Sequence, residues 1–133
     1  MKKFLLILTA ITAVSLVGCD KTVNYKEEGS KMAKELDQLC EQQNSAVIAL
    51  DDSIHAMEAR LVAANDSAAI ADFTEALKDS RKRNAPTIAA LKVKQGMKKE
   101  EAIKSIADDV MKGTLDVAVL SDAIDAVNKV AAE

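Results

Sequence analysis

The chain has 133 residues, which suits one globular domain, and its formal net charge of −3 implies no general affinity for nucleic acid. Four glycines and one proline are too few turn residues for a many-stranded β fold. The rest of the chain is rich in alanine, lysine, glutamate, aspartate and leucine, a mixture that favours helices. The composition therefore predicts an all-α protein.

The first residues have the organisation of an export signal. Lys2 and Lys3 are followed by an apolar run that extends from Phe4 to Gly18. This run is shorter than the roughly 20 residues that span a bilayer, and its length is typical of the apolar part of a signal peptide. The run ends in the motif Leu16-Val17-Gly18-Cys19.

That motif resembles the lipobox of bacterial lipoproteins. The resemblance implies that residues 1–18 are removed as a signal peptide, that the thiol of Cys19 receives a diacylglycerol, and that its new amine is acylated. The mature chain is then held on the periplasmic side of a membrane by its lipid, with no other cofactor. The residue after the cysteine is Asp20, which resembles the signal that retains enterobacterial lipoproteins in the inner membrane. The mature domain resembles no family.

Residues 19–29 are expected to form a lipidated cysteine followed by a polar tether, because the segment from Asp20 to Gly29 has no apolar period. Such a tether spans roughly 30 Å when extended. Residues 30–133 are expected to form the folded domain, with Ser30 as the N-cap of its first helix.

The first segment of this domain has apolar residues spaced alternately by four and three, which is the heptad seam of a coiled coil. Its members are Leu36, Cys40, Gln43, Val47, Leu50, Ile54, Met57, Leu61 and Ala64. Gln43 is the one polar member. A break at Asn65-Asp66-Ser67 is expected to cap the next helix.

The second segment continues the same spacing but has a polar middle and contains Pro86. Its seam comprises Ile70, Phe73, Leu77, Ser80, Asn84, Ile88 and Leu91. An interior proline removes a backbone hydrogen bond, so the helix either kinks at Pro86 or breaks and restarts there. Gly96 is a suitable residue to end it.

The third segment begins near Lys98 and has its own seam. The members are Ile103, Ile106, Val110, Gly113, Val117, Leu120, Ile124, Val127 and Ala131. Gly113 either lies on the seam, where it allows close helix approach, or divides the segment into two helices.

Three long helices joined by short turns predict an antiparallel up-down-up bundle. In this arrangement the tether and the 95–98 turn lie at the membrane end. The lysines around that turn either complement helix dipoles or face anionic headgroups, and they are Lys92, Lys94, Lys98 and Lys99. The 65–66 turn and the C-terminus lie at the far end, where acidic residues outnumber basic ones. The expected acidic tip comprises Asp51, Asp52, Glu58, Asp66, Asp72, Glu75, Asp116, Asp122, Asp125 and Glu133. The acids either complement helix dipoles and aid solubility, or bind a basic partner.

Catalytic and metal-binding patterns are absent from the sequence. His55 is the only histidine and is expected at the boundary of the core. Ser53 and Asp51 are too close to it along one helix to form a catalytic triad. The run Arg81-Lys82-Arg83 is read as a solvated face, since no aromatic residues accompany it. Neither enzymatic activity nor a metal is expected.

Cys40 is the only cysteine beyond Cys19, so no intrachain disulfide is expected in the mature chain. It either packs in the core as a small apolar group or faces outward and forms a disulfide between two copies.

The sequence favours a membrane-anchored protein-interaction module whose partner is a periplasmic or envelope protein. A different hypothesis is a bundle that binds a small molecule or lipid in a wet pocket lined by Gln43, Ser80 and Asn84. An envelope spacer built by self-association, an exclusion or immunity factor, and an inhibitor are further candidates. The C-terminus lacks the terminal lysine of a lipoprotein linked covalently to peptidoglycan.

Overall fold

A computed structural model describes residues 23–133, so the signal peptide, the lipobox and Asp20 lie outside the described residues. The described chain forms five helices and no strand, which confirms the all-α prediction but not a bundle of three long helices. The helices are α1 (Tyr25–Glu41), α2 (Val47–Ala63), α3 (Ser67–Lys94), α4 (Lys99–Lys112) and α5 (Ala118–Ala131). Between residues 23 and 133, no helix has both the length and the apolar character needed to cross a membrane.

The first helix begins earlier than the sequence predicts. The N-cap is Asn24, whose side-chain oxygen accepts a hydrogen bond from the backbone N–H of Glu27 at 3.1 Å. Ser30 lies within the helix, and its hydroxyl donates to the carbonyl of Lys26. Residues 25–29 are therefore helical rather than part of a polar tether, because the cap is Asn24 and not Ser30.

Four of the five helices end in the same way, with a residue in the left-handed conformation just beyond the last turn. These residues are Gln43 (φ 54°), Asn65 (φ 58°), Gly96 (φ 105°) and Gly113 (φ 84°). The next amide in each case donates back to a carbonyl inside the helix, as Asn44 does to Leu39 at 2.9 Å. The end at Gln43 divides the first predicted helix into α1 and α2.

The sequence left two outcomes open at Pro86 and at Gly113, and the structure distinguishes between them. Helix α3 continues through Pro86 for 28 residues, which makes it about 42 Å long and excludes a restart at the proline. Gly113 ends α4 and is exposed, so the third segment is two helices. Asp66 caps α3 as predicted, since its carboxylate accepts from the N–H of Ala69 at 3.1 Å.

Helix α3 lies at the centre of the molecule and contacts all four other helices. Helix α1 runs parallel to it, because Gly29 lies beside Phe73 and the carbonyl of Ala33 bonds to Ser80. Helix α2 runs antiparallel, because Asp51 pairs with Lys92 near the end of α3.

Helices α4 and α5 form a hairpin on the C-terminal half of α3. The hairpin turn lies beside the middle of α3, where Asp116 pairs with Lys82 at 3.5 Å. The N-terminal half of α3 is therefore not covered on the side of the helix that packs against the α4–α5 hairpin. The extra reversal at 42–46 also places the start of α1 at the same end as the 64–66 turn, opposite to the predicted arrangement.

The core consists of two clusters of buried apolar side chains that share α3. The larger one lies between α1, α2 and α3 and includes Leu36, Leu50, Ile54, Phe73 and Leu77. It uses most of the two predicted seams, but Gln43 and Ala64 are exposed.

The smaller cluster lies between α3, α4 and α5 and is built largely from alanine, isoleucine and valine. Here the predicted seam is partly wrong: Val117 and Ala131 are exposed, whereas Ala102, Val119 and Ala123 are buried. The reason is the break after Lys112, which changes the register of α5 relative to α4.

Gly29 allows α1 and α3 to approach closely. A Cβ atom at this position would lie 2.8 Å from Ala76 Cβ and 3.0 Å from the carbonyl oxygen of Phe73. We expect Gly29→Ala to lower the free energy of unfolding by about 1–3 kcal/mol, although alanine is the better helix former. Urea unfolding measures the change, and the neighbouring exposed substitution Ser30→Ala is the control. A gain in stability for Gly29→Ala would contradict the close approach.

Candidate functional site

The two core clusters are separated by a group of charged side chains on three helices. This ionic junction is formed by Asp51, His55 and Glu58 of α2, Arg81 and Lys92 of α3, and Asp109 of α4. With His55 protonated, the junction contains three positive and three negative charges and is neutral as a whole.

At one end of the junction, Lys92 and Asp51 form a buried ion pair. The Nζ atom of Lys92 lies 3.0 Å from Oδ2 of Asp51, and the two side chains are only 8% and 9% exposed. Burying either charge alone is strongly unfavourable, so each residue depends on the other.

Arg81 joins α3 to α2 and α4. Its Nη1 donates to the carboxylate of Glu58 at 2.8 Å, and its Nη2 lies 3.4 Å from Asp109 Oδ2. The side chain of Arg81 is 4% exposed. A guanidinium suits this position because its planar fork donates in two directions at once.

His55 lies between two acceptors. Its Nδ1 is 2.8 Å from the backbone carbonyl oxygen of Asp51, and its Nε2 is 2.9 and 2.8 Å from the two carboxylate oxygens of Asp109. Both ring nitrogens must carry a proton to donate to these groups, which favours the imidazolium form. The Nη2 of Arg81, 3.2 Å from Nε2, is then a second donor to Asp109 and not a partner of the ring.

The electrostatics agree with this geometry. The hydrogen bond to Asp109 raises the pKa of His55, and the charge of Asp51 adds to the increase against the opposing effect of burial. Burial acts to raise the pKa of Asp109, but the hydrogen bond and charge of His55, with Arg81 and Lys112, hold it below its usual value.

We expect stability to fall as pH rises through the pKa of His55. Folding raises the pKa of His55. The stability that the protonated ring contributes is therefore complete below its unfolded pKa, about 6.5, and is lost as pH rises above its folded pKa. Urea unfolding at pH values from about 6 to 9 measures this change. Asp51, Asp109 and Arg81 also lie against the ring.

The control for this pH dependence is His55→Gln, which retains a polar side chain but cannot change its charge. The decline between neutral and alkaline pH is expected to flatten in that variant. An unchanged decline would show that another group is responsible.

A second polar cluster joins α1 to the middle of α3. The hydroxyl of Ser80 lies 3.0 Å from the carbonyl oxygen of Ala33 and 2.9 Å from Asp37 and shares its one proton between them. Asn84 also donates to Asp37. Arg83 binds the other oxygen of Asp37 at 2.8 Å and lowers its pKa together with Asn84 and Ser80, although burial acts in the opposite direction. The hydroxyl of Ser80 and the amide of Asn84 are therefore satisfied within the protein.

The predicted wet pocket does not form from Gln43, Ser80 and Asn84. Gln43 is exposed in the turn between α1 and α2, and its side chain bonds to the carbonyl of Cys40. Ser80 and Asn84 bind Asp37 instead. The cavity at the ionic junction is also small, at about 10 Å³, the volume of about one water molecule.

A larger open groove adjoins the junction on the uncovered side of α3. It encloses about 560 Å³ between the second half of α2, the start of α3 and the α4–α5 turn. The lining residues are His55, Glu58, Ala59, Val62, Ala63, Ile70, Thr74, Lys112 and Thr114. No motif in the sequence pointed to a groove in this region.

The predicted acidic tip is divided among different parts of the molecule. Asp51 is buried in the ionic junction, and Glu58 is half-buried against Arg81. The exposed residues separate into two groups. Asp66, Asp72 and Glu75 lie on the first turns of α3, whereas Asp52, Asp122 and Asp125 lie towards the other end, on α2 and α5. Asp116 lies at the α4–α5 turn, beside Lys82, and Glu133 is the exposed last residue.

Two basic groups are also placed differently from what the sequence predicts. Lys92 is buried against Asp51 and does not face a membrane. In the run 81–83, Arg81 is buried, while Lys82 and Arg83 are exposed and paired with acids.

Cys40 lies in the core, where its exposure is 4%. Burial, with the charges of Asp37 and Asp51, raises the pKa of its thiol to about 12. The thiolate is the reactive form of cysteine, so this position is protected from disulfide formation.

The junction does not have the arrangement of a catalytic histidine. Both ring nitrogens of His55 already donate to acceptors, which leaves no lone pair to accept a proton from a nucleophile. Among residues 23–133, no three His, Cys, Asp or Glu side chains are grouped to hold a metal ion.

The long-range pairs of the junction were missed because His55 and Asp109 are 54 residues apart. One signal was present in α3: Arg81, Ala85, Ala89 and Lys92 follow a second stripe with the spacing 4, 4, 3. Two stripes on one helix indicate a central helix whose second face is also buried. No protein-family model matches this chain, and no similar curated protein or solved structure was found.

Proposed function

We propose that this protein is a membrane-anchored periplasmic lipoprotein that acts as a non-catalytic protein-interaction module. The observation that carries the proposal is the motif Leu16-Val17-Gly18-Cys19 at the end of an apolar run preceded by two lysines. A diacylglycerol on Cys19, with a further acyl chain on its amine, supplies the durable attachment that one acyl chain does not. Asp20 favours retention in the inner membrane.

The compact domain supports a binding role over a chemical one. Its most unusual polar group, the ionic junction, has its charges paired and its histidine nitrogens occupied. The heptad seams of α1, α2 and α3 pack against one another within one chain, so they are not free to build a coiled-coil oligomer. The module therefore presents its exposed polar surface to a partner.

The position of α1 supports one orientation of the domain relative to the membrane. Helix α1 begins beside the N-terminal half of α3, the half that carries Asp72 and Glu75. Because α1 follows the anchored cysteine in the sequence, this end of α3 is proposed to face the membrane. Three exposed acidic residues lie towards the opposite end of α3, namely Asp52 on α2 and Asp122 and Asp125 on α5. We place the contact with a basic periplasmic protein there, with an association rate that falls as salt increases.

The anchor is tested by replacing its acceptor thiol. Cys19→Ser is expected to abolish incorporation of radiolabelled fatty acid and to prevent cleavage before residue 19. Cys40→Ser is the matched control, because this thiol is buried in the core. Label retained in Cys19→Ser, or lost in Cys40→Ser, would overturn the lipoprotein assignment. Flotation of the wild-type protein with outer-membrane density would show that Asp20 does not retain it.

The interaction role is tested separately in cells. A photoreactive amino acid placed at Asp122 is expected to yield a protein adduct that decreases at high salt, and the same amino acid at Glu75 provides the comparison at the anchor end. Adducts with lipid alone at both positions would count against a protein partner.

A further inference from the structure

We propose that the groove beside the ionic junction binds a free single-chain amphiphile with an anionic headgroup, such as a fatty acid. The groove lies within residues 55–114, so this inference does not depend on the lipid anchor or on a protein partner. It assigns a ligand class to a surface that is distinct from the distal acidic residues.

The groove results from the unequal lengths of the helices. Helix α3 has 28 residues, whereas α4 and α5 have 14 each and reach only to the middle of α3. The first turns of α3 therefore have no partner on this side. Ile70 and Thr74 form one wall of the resulting groove, and the end of α2 forms the opposite wall.

The floor and walls of the groove are mainly apolar. Ala59, Val62 and Ala63 of α2 face Ile70 of α3, and Val62 is 60% exposed. Val62 is one of three large apolar side chains that are exposed among the described residues. An acyl chain covers such a surface and removes it from water, which is favourable in proportion to the apolar area buried.

The charge at one end of the groove selects the headgroup. His55 is paired with Asp109 and Glu58 is paired with Arg81, so their charges are compensated within the protein. Lys112 also lines the groove, and among residues 23–133 it forms no ion pair within 4.0 Å. Lys112 is therefore a lining cation without a carboxylate in direct contact, which suits a ligand with a single negative charge.

The dimensions favour a small ligand over a helix of another protein. A volume of about 560 Å³ lies within the range of small-molecule sites, roughly 300–1,000 Å³. The α4–α5 turn, with Lys112 and Thr114, stands at one end of the groove. A long helix lying along the groove would meet this turn, whereas an acyl chain with its carboxylate at Lys112 ends there.

The test uses the full-length protein in its native membranes and a photoactivatable palmitate analogue. Adducts are mapped by mass spectrometry and are expected to concentrate in residues 59–74. Val62→Glu introduces a negative charge into the groove and is expected to reduce labelling at least about fivefold. Val117→Glu is the matched control, because Val117 is 67% exposed and lies outside the groove. Lys112→Glu is expected to reduce labelling, whereas Lys112→Arg preserves it.

Three outcomes would overturn the proposal. Labelling that is absent from residues 59–74, or that falls equally in the Val62 and Val117 variants, would show that the groove is not a specific site. Labelling that is equal in Lys112→Glu and wild type would refute the choice of an anionic headgroup. Labelling that appears only after Cys19→Ser would show that the chain's own lipid fills the groove, instead of a free amphiphile.

Discussion

Asp109→Asn is expected to lower the free energy of unfolding by about 3–5 kcal/mol, the range observed when one partner of a buried ion pair is removed. The substitution retains the shape of the side chain but removes the negative charge that faces both His55 and Arg81. Two cations then remain in a region where Asp109 is 5% exposed, and they lose the carboxylate that compensates their charge. The pKa of His55 is expected to fall in the same variant, because the hydrogen bond that raises it most is weakened.

The neighbouring residue provides the control for this effect. Asp108 pairs with Lys104 at 3.2 Å on the exposed side of the same helix. Asp108→Asn is expected to change stability by no more than about 0.5 kcal/mol, as is usual for exposed pairs four residues apart. Denaturant unfolding measures both variants at neutral pH. Equal losses would show that the ionic junction contributes no more than a surface pair.

Phe73→Ala is expected to have an effect of similar size for a different reason. Phe73 is fully buried in the larger cluster, where it contacts the region of Gly29 on α1. Truncation removes apolar contacts and leaves a cavity, which costs about 3–5 kcal/mol for a buried aromatic side chain. This is a large fraction of the roughly 5–15 kcal/mol that stabilises a typical domain.

The test of Phe73 includes a variant of intermediate volume. Phe73→Leu fills most of the space, and its loss of stability is expected to be less than half of the loss in Phe73→Ala. Thermal unfolding of both variants gives the order of stability as wild type, then leucine, then alanine. An alanine variant as stable as wild type would show that Phe73 does not pack as the structure indicates.

Prediction from the sequence succeeded where a structural feature has a local cause. Asp66 and Gly96 were identifiable as helix ends because the side chain of one favours capping and the lack of a side chain in the other favours left-handed backbone. At Gly113 a helix end was one of two outcomes that the sequence left open. Gln43 adopts the same left-handed conformation without either advantage. The one local hint was Asn44, whose side chain accepts from the N–H of Ala46 at 2.9 Å.

One missed turn accounts for most of the remaining errors. The reversal after Glu41 makes a hairpin from one predicted helix, so it changes which ends of the helices lie together. The expected acidic tip is divided for this reason, and Asp51 is placed beside Lys92 instead of in solvent. The ionic junction depends on pairs 23 to 54 residues apart, which helical periodicity does not reveal.

The location of the ionic junction has a consequence for how the molecule opens. When the α4–α5 hairpin separates from α3, Asp109, His55 and Arg81 regain strong hydration, which offsets part of the interactions that they lose. The larger cluster has less compensation of this kind, because it is built from many buried apolar side chains in addition to the polar contacts of Asp37. We therefore expect partial unfolding to begin with the hairpin, and we expect α1, α2 and the first half of α3 to exchange their amide hydrogens most slowly.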